Sequence, residues 1–285
     1  MVSLSLTLAA ALAQAQSRGL DRLDAQLILA HLLGQNRTWI IAHDDTLLPH
    51  QLQPEWEACL KRRSAGEPLA YLLGEKEFYG LMLQVGPHVL VPRPDTETLV
   101  DWALEHLARL APDAHILDLG TGSGAIAVAL KHAHPHSQVC AVDCSEAALN
   151  VARANAQRMQ QKIQFYQGHW WHPLAGQCFD LVVSNPPYIA EGDPHLAALR
   201  FEPLQALTSG ADGLKDLRDI IAAAPQHLKP GAWLLLEHGH DQSAVVQTLL
   251  TQQGFASIQS RLDQAGLTRC TGGRWQKRDK VNIVN

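Results

Sequence analysis

The sequence predicts an α/β protein: a small helical domain, then a larger domain built on a mostly parallel sheet. Three stretches predict it. Residues 116–119 are an apolar run that meets Gly120-Thr121-Gly122-Ser123-Gly124 and then a helical pattern reaching His132. Residues 138–142 are a second apolar run, ending in the acidic Asp143. Residues 179–183 are a third, which runs into Ser184-Asn185-Pro186-Pro187-Tyr188. Short apolar runs alternating with helical patterns signal parallel strands joined by crossover helices. Ligands of such sheets bind outside the carboxyl ends of the strands.

The bulk numbers agree. A chain of 285 residues, 46% hydrophobic and 18% charged, suits a soluble protein of two domains with a sizeable core. A net charge of −5 argues against strong non-specific DNA binding, which clustered positive charge drives. The five cysteines, Cys59, Cys140, Cys144, Cys178 and Cys270, are odd in number and contain no CxxC pair. They are read as reduced thiols of a cytoplasmic protein. The apolar residues 4–15 carry no positive leader and are broken by Gln and Ser, so neither a signal peptide nor a membrane helix is expected.

The first 74 residues read as helical. Ser3, Ser5 or Thr7 is the expected cap of a first helix, and Leu23, Leu27, Ile28 and Leu32 form the apolar stripe of a second, stopped by Gly34. A short helix starts at Trp39, another spans 55–65, and a last piece ends near Gly74. Residues 78–85 and 89–91 are expected to pair as a hairpin around Gly86-Pro87 within a linker over 75–95. Pro92-Arg93-Pro94-Asp95-Thr96-Glu97 follows, with Asp95 or Thr96 as the expected cap of a helix over 98–110. Past Asp143 come a helix to 160, a strand near 163–166 followed by Gly168-His169-Trp170, and the run at 179. A helix over 216–227, a strand over 232–237, a helix over 242–254 and two closing strands complete seven strands. Residues 277–285 are polar and expected to fray.

The loops after the strands carry the chemistry. The glycines permit positive φ and close approach of a ligand to the backbone, and the following helix N-terminus suits a carboxylate. The spacing is neither the dinucleotide fingerprint nor a P-loop. Asp143, at the next strand's end, suits two ribose hydroxyls, and Trp170 is placed to stack on a purine. Asn185 offers one acceptor and one donor group, two prolines stiffen the loop, and Tyr188 adds a flat face. Such a loop grips a planar group bearing an NH2. His132, His134 and His136, and the cluster Glu237-His238-Gly239-His240, lack metal-ligand spacing, so no metal is expected.

In combination, the glycine loop, Asp143 and Asn185-Pro186-Pro187-Tyr188 resemble class I S-adenosylmethionine-dependent methyltransferases that act on a planar nitrogen. Two groups carry the Asn-Pro-Pro-Tyr loop: adenine-N6 DNA methyltransferases and protein-glutamine-N5 methyltransferases. Residues 85–97, with Phe201-Glu202-Pro203 and Leu234-Leu235-Leu236-Glu237-His238-Gly239, resemble the release-factor glutamine methyltransferases (HemK/PrmC type). The resemblance spans nearly the whole chain. It implies a Rossmann-like seven-stranded methyltransferase domain over 96–276 and a substrate-docking role for residues 1–74. It implies that Asp118, Gly120, Thr121, Gly122, Ser123, Gly124, Asp143, Trp170 and Asn185 hold S-adenosylmethionine. Asn185, Pro186 and Tyr188 are the implied catalytic residues, with Pro187 and Arg93 also at the substrate. The implied partner is a class-1 peptide-chain release factor, methylated at the glutamine of its Gly-Gly-Gln motif in support of translation termination. No stable nucleic acid or membrane partner is expected. The alternative is an adenine-N6 DNA methyltransferase. The sequence departs from the family at His169, where an acidic residue is common, and at Ser123, where Thr is common.

Overall fold

The structure, a computed structural model, describes residues 6–276. They divide into two compact units, between Glu75 and Lys76. The cap candidates Ser3 and Ser5 and the tail from 277 lie outside the described residues. Among those described, no helix is long and apolar enough to cross a membrane.

The first unit is helical: α1 (Leu8–Ser17), α2 (Arg22–Leu33), α3 (Arg37–Ala42), α4 (Gln53–Ser64) and α5 (Leu69–Leu73). Local signals set its boundaries. Thr7 caps α1 by accepting from the Ala10 amide, Asp21 caps α2 from the Leu23 amide, and Asn36 caps α3 from the Trp39 amide. The Asn36 cap starts α3 two residues ahead of the expected Trp39. Gly34 and Gly74 end their helices at φ 62° and 72°, where a Cβ would be strained. The apolar faces meet around Leu8, Ile28, Leu29, Trp56 and Leu60. Trp56 satisfies its buried N–H by donating to Gln14 Oε1 at 3.0 Å.

The hairpin differs from the expected one. β1 (Glu75–Phe78) pairs with β2 (Leu81–Gln84), and the turn is Tyr79-Gly80, not Gly86-Pro87. Both turn residues have positive φ, 53° and 75°, the geometry of a two-residue hairpin turn that matches strand twist. The Tyr79 amide is held by Glu97 Oε1 at 3.0 Å. Residues 89–91 form no strand. Phe78 and Leu83 are buried in the core of the second unit, and Asn155 pins the hairpin there. Its side chain accepts from the Gln84 amide and donates to the carbonyls of Gln84 and Ser123.

The second unit follows as α6 (Glu97–Leu107), β3 (His115–Leu119), α7 (Ala125–Ala133), β4 (Gln138–Asp143), α8 (Glu146–Arg158), β5 (Ile163–Gln167) and β6 (Phe179–Ser184). Next come α9 (Lys215–Ala223), β7 (Leu228–Glu237), α10 (Ser243–Gln253), β8 (Phe255–Leu262) and β9 (Thr268–Trp275). Thr96 takes the cap position of α6 after a 3-10 turn over Pro94–Thr96, but its side chain makes no capping hydrogen bond; the Asp95 carboxylate faces Arg269 at 3.5 Å. The helix expected over 216–227 stops at Ala223 and tightens into a 3-10 turn containing Pro225, which cannot continue the α ladder. β7 starts four residues earlier than expected, crossing Pro230 and Gly231 with a register shift opposite Phe179 and Leu181. Pro230 has no N–H to give the ladder, so the strand bulges there.

The seven strands lie in the order β5-β4-β3-β6-β7-β9-β8, and only β9 runs against the rest. This is the class I methyltransferase sheet that the resemblance implied. Helices α6 and α7 bury one face of the sheet, with Leu99, Trp102 and Val128; α9 and α10 bury the other, with Leu217, Ile220 and Val246. Strands buried on both faces need the near-continuous apolar runs seen at 116–119 and 179–183.

Asn155→Ala would leave buried backbone groups at Gln84 and Ser123 without partners. The expected cost is about 2–4 kcal/mol, read as a lower denaturation midpoint at unchanged m-value. An unchanged midpoint would show that the hairpin is held by its apolar contacts alone.

Candidate functional site

The site arises where the chain reverses direction across the sheet. From β3 the strand order runs outward through β4 and β5 on one side and through β6 and β7 on the other. Leu119 pairs with Ser184, so the loops leaving β3 and β6 emerge side by side. Ser184 Oγ donates to the Leu119 carbonyl at 2.7 Å and locks that pairing. A cavity of about 450 Å³ opens at this edge, walled by the second unit alone.

Gly120, Gly122 and Gly124 sit at φ 73°, 56° and 81°. A Cβ on Gly120 would come within 3.0 Å of the Trp170 ring, and one on Gly124 within 3.1 Å of the Ala152 Cβ. At Gly122 a Cβ would meet nothing, because its bare backbone faces open space. Asp118 lies fully buried under this loop. Its Oδ2 accepts from Thr121 Oγ1 at 2.6 Å and from the Ala127 amide at 3.2 Å, and its Oδ1 has no partner. Burial pushes its pKa to about 7, against the pull of those two donors. Asp118 therefore braces the loop from below and does not line the cavity.

Asp143 ends β4 on the cavity wall. Its two oxygens accept from the Gly122 amide at 2.8 Å and the Ser145 amide at 2.9 Å. Burial raises its pKa while these amides lower it. Each carboxylate oxygen keeps lone-pair capacity for a hydroxyl.

Trp170 has a φ of 47°, uncommon outside glycine. This turn lays its ring over Gly120 and sends Nε1 to Asp216 Oδ1 at 3.1 Å. The indole is thus a fixed part of the cavity wall. Asp216 was missed in the sequence, because an acid in the first turn of a helix reads as a dipole partner. It is buried at the start of α9, accepts from Ser209 Oγ at 2.7 Å, and lies 4.0 Å from His169 Nε2. The acidic group absent at 169 is present nearby, from another element.

Asn185 and Pro187 line the cavity; Pro186 and Tyr188 do not. Tyr188 was expected to present its flat face to a ligand. Its half-buried side chain instead packs against the apolar cluster on the α9 and α10 face, and its carbonyl accepts from Gln242 Nε2 at 3.0 Å. The proline pair carries the backbone past the cavity and turns Tyr188 inward, so Tyr188 braces the loop from behind. Asn185 Nδ2 donates to Thr96 Oγ1 at 3.2 Å, so the Thr96 hydroxyl is engaged away from the start of α6. Glu237, buried at the end of β7, stands beside this pair, and both side chains lower its pKa. Arg93 lines the cavity but is paired with the buried Glu202, which also accepts from the Val91 amide at 3.0 Å. It ties two cavity segments together and is no free cation. Among the described residues, no group of three or more His, Cys, Asp or Glu has metal-holding geometry.

The arrangement offers an acid for a diol, bare backbone and a helix N-terminus for a small polar group, and an amide acceptor beside them. Comparison with known proteins agrees. The PrmC N-terminal domain family matches residues 6–74, and the methyltransferase small domain family matches residues 96–202. The chain is 46% identical over 281 residues to the release factor glutamine methyltransferase of Vibrio cholerae, covering 96% of this chain and 98% of that one. It is 48% identical over 259 residues to the protein of the same name from Bordetella pertussis, covering 90% and 95%. A Thermus thermophilus 16S rRNA N2 G1207 methyltransferase, solved with AdoMet and guanosine, shares the fold at a TM-score of 0.53 and 19% identity, over 71% of this chain and 50% of that one. By its sequence relatives over nearly its full length, the chain belongs to the release factor glutamine methyltransferase family.

Proposed function

We propose that this enzyme transfers a methyl group from S-adenosylmethionine to the side-chain amide N5 of the glutamine in the Gly-Gly-Gln motif of class-1 peptide-chain release factors. The observation that carries the reading is the orientation of Asn185. Its NH2 is turned to Thr96, which leaves Oδ1 as the group for the cavity it lines. A carbonyl acceptor there suits the N–H of a planar amide. Family membership favours glutamine over adenine as the bearer of that amide. The helical first unit, matched by the PrmC N-terminal domain family, is the proposed docking surface for the release factor. A cytoplasmic setting, where thiols stay reduced, fits the five free cysteines.

The cavity fits the methyl donor. Gly122 leaves its backbone bare toward open space, Asp143 has spare lone pairs for a diol, and Asp118 braces the loop from below. When bound, S-adenosylmethionine supplies a methyl group on a positively charged sulfur. The protein's task is orientation, because an amide nitrogen is a poor nucleophile with its lone pair delocalised. Asn185 Oδ1 accepts an N–H bond of the glutamine amide. This acceptor stabilises the positive charge that grows on nitrogen as it becomes tetrahedral. Tyr188 and Gln242 keep the loop from yielding.

Peptide mass spectrometry of an unmodified release factor, after incubation with the enzyme and S-adenosylmethionine, is expected to show one added methyl on the Gly-Gly-Gln glutamine. Transfer to adenine in DNA instead would replace the reading. Asn185→Ala is expected to lower the single-turnover rate by ~10²-fold, as for loss of a transition-state hydrogen-bond partner. Calorimetry should show its cofactor affinity retained; an equal loss of affinity would make Asn185 a cofactor residue. Asp143→Ala is expected to weaken S-adenosylmethionine binding by about tenfold or more, the scale of hydrogen bonds to a charged group. Unaltered affinity would remove Asp143 from the diol.

A further inference from the structure

One buried acid has no part in the reading so far. Glu237 closes β7 next to the Asn185 loop: Ser184 pairs with Leu236, so the two strands leave the sheet edge together. Its side chain is 1% exposed, and its Oε2 has no partner. The preceding Leu234, Leu235 and Leu236 are wholly buried, and another leucine would avoid the desolvation cost of a carboxylate. The acid is therefore better explained by what it touches than by packing.

The β6–β7 register sets it beside Asn185, whose NH2 donates to Thr96 Oγ1, and both side chains act on its carboxyl as hydrogen-bonding groups that lower its pKa. An ionised carboxylate only accepts hydrogen bonds. The Thr96 hydroxyl must then donate to it, and Thr96 Oγ1 is left to accept, as it does from Asn185 Nδ2. Donation runs one way through the network, so the NH2 of Asn185 faces inward and its Oδ1 faces the cavity. A protonated carboxyl breaks this rule. Its O–H donates, the hydroxyl of Thr96 is free to reverse, and the Asn185 amide is satisfied either way round.

We propose that Glu237 is a positioning residue whose carboxylate, directly and through Thr96, holds the Asn185 amide with Oδ1 facing the cavity and so sets the acceptor for the substrate amide. The inference rests on the reading of Asn185 given above. The other charged or titratable groups around Glu237 are Asp95 from the segment before α6, Arg269 and Cys270 from β9, and Tyr188 from the loop after β6. Arg269 is shared, with Nε at 2.9 Å from Asp263 and its terminal nitrogen 3.5 Å from Asp95. Burial pushes the Glu237 pKa to about 7, Asp95 adds to the rise, and Thr96, Arg269 and Asn185 oppose it. The working form is the carboxylate, so the orienting effect is complete above that range and is lost as pH falls through it.

The test is the single-turnover methylation rate of the full-length enzyme on a release-factor substrate, measured from acid to alkaline pH for the wild type, Glu237→Gln and Thr96→Val. Glutamine keeps the shape but donates and accepts equally, so it no longer selects one face of Asn185. Expected are a loss of about tenfold in rate for Glu237→Gln at alkaline pH, the scale of a hydrogen bond to a charged group, with unchanged S-adenosylmethionine affinity. The acid limb of the wild-type profile should disappear in that variant, and Glu237→Asp should recover part of the rate together with the limb. Thr96→Val, which removes only the hydroxyl, should lose rate in the same way and serves where Glu237→Gln does not fold. A Glu237→Gln rate near that of the wild type, or a slowed variant that keeps the wild-type acid limb, would overturn the proposal. Asn185→Ala measured alongside separates the two readings: if it too leaves the rate intact, the amide acceptor itself is misassigned, whereas if it alone is slow, only the role of Glu237 fails.

Discussion

The parallel pairing of β3 with β6 is the constraint on which the site depends. Leu119 opposite Ser184 brings the glycine loop and the Asn185 loop to one point of the sheet edge. A slip of one residue would send Asp118 and Ser184 to the opposite faces and carry both loops apart. The buried Ser184 hydroxyl, bonded to the Leu119 carbonyl, adds a side-chain tie to the register at its last residue. Pairing of β6 with β7 then extends the same edge to Glu237, and Thr96 enters from the turn before α6. The stretches carrying Thr96, Asn185 and Glu237 thus meet at one amide side chain, though they lie far apart in sequence.

That convergence explains which parts of the site could be read in advance. The glycine loop, Asp143 and the Asn185 loop are each signalled locally: a run of apolar residues, then a residue type that only a strand-end loop requires. The seven strands follow from the same periodicity and family pattern, whereas their order and the antiparallel β9 come from the structure. Thr96 and Asp216 were not legible as site residues, because each stands at a helix start where a cap or dipole partner is the ordinary role. Their side chains are claimed by Asn185 and Trp170 across long sequence separations. The hairpin was misplaced for a local reason: Tyr79 adopts positive φ, which tyrosine rarely does, and Gly86-Pro87 offered the more familiar turn. Tyr188 was misjudged because a tyrosine beside a ligand loop has two apolar destinations, and the core beneath α9 and α10 is the larger.

The surroundings of the cavity also show a consistent distribution of charge. The two arginines near it are neutralised, Arg93 by Glu202 and Arg269 by Asp263 and Asp95. The acids Asp118, Asp143 and Glu237 have no such cation paired to them, and burial is the main cause that lifts the pKa of each. Asp143, Glu191 and Asp216 line the cavity while Asp118 and Glu237 lie behind it, and an acidic wall is a poor host for phosphate or for nucleic-acid backbone. It is a suitable one for a positively charged sulfur and for an amide nitrogen that becomes cationic as it is alkylated. Each of those buried acids is destabilising in the resting protein, since its charged form is desolvated. The cost is recovered only when positive charge arrives. The electrostatics of the resting cavity are therefore arranged for the transition state of the reaction and not for the stability of the empty fold.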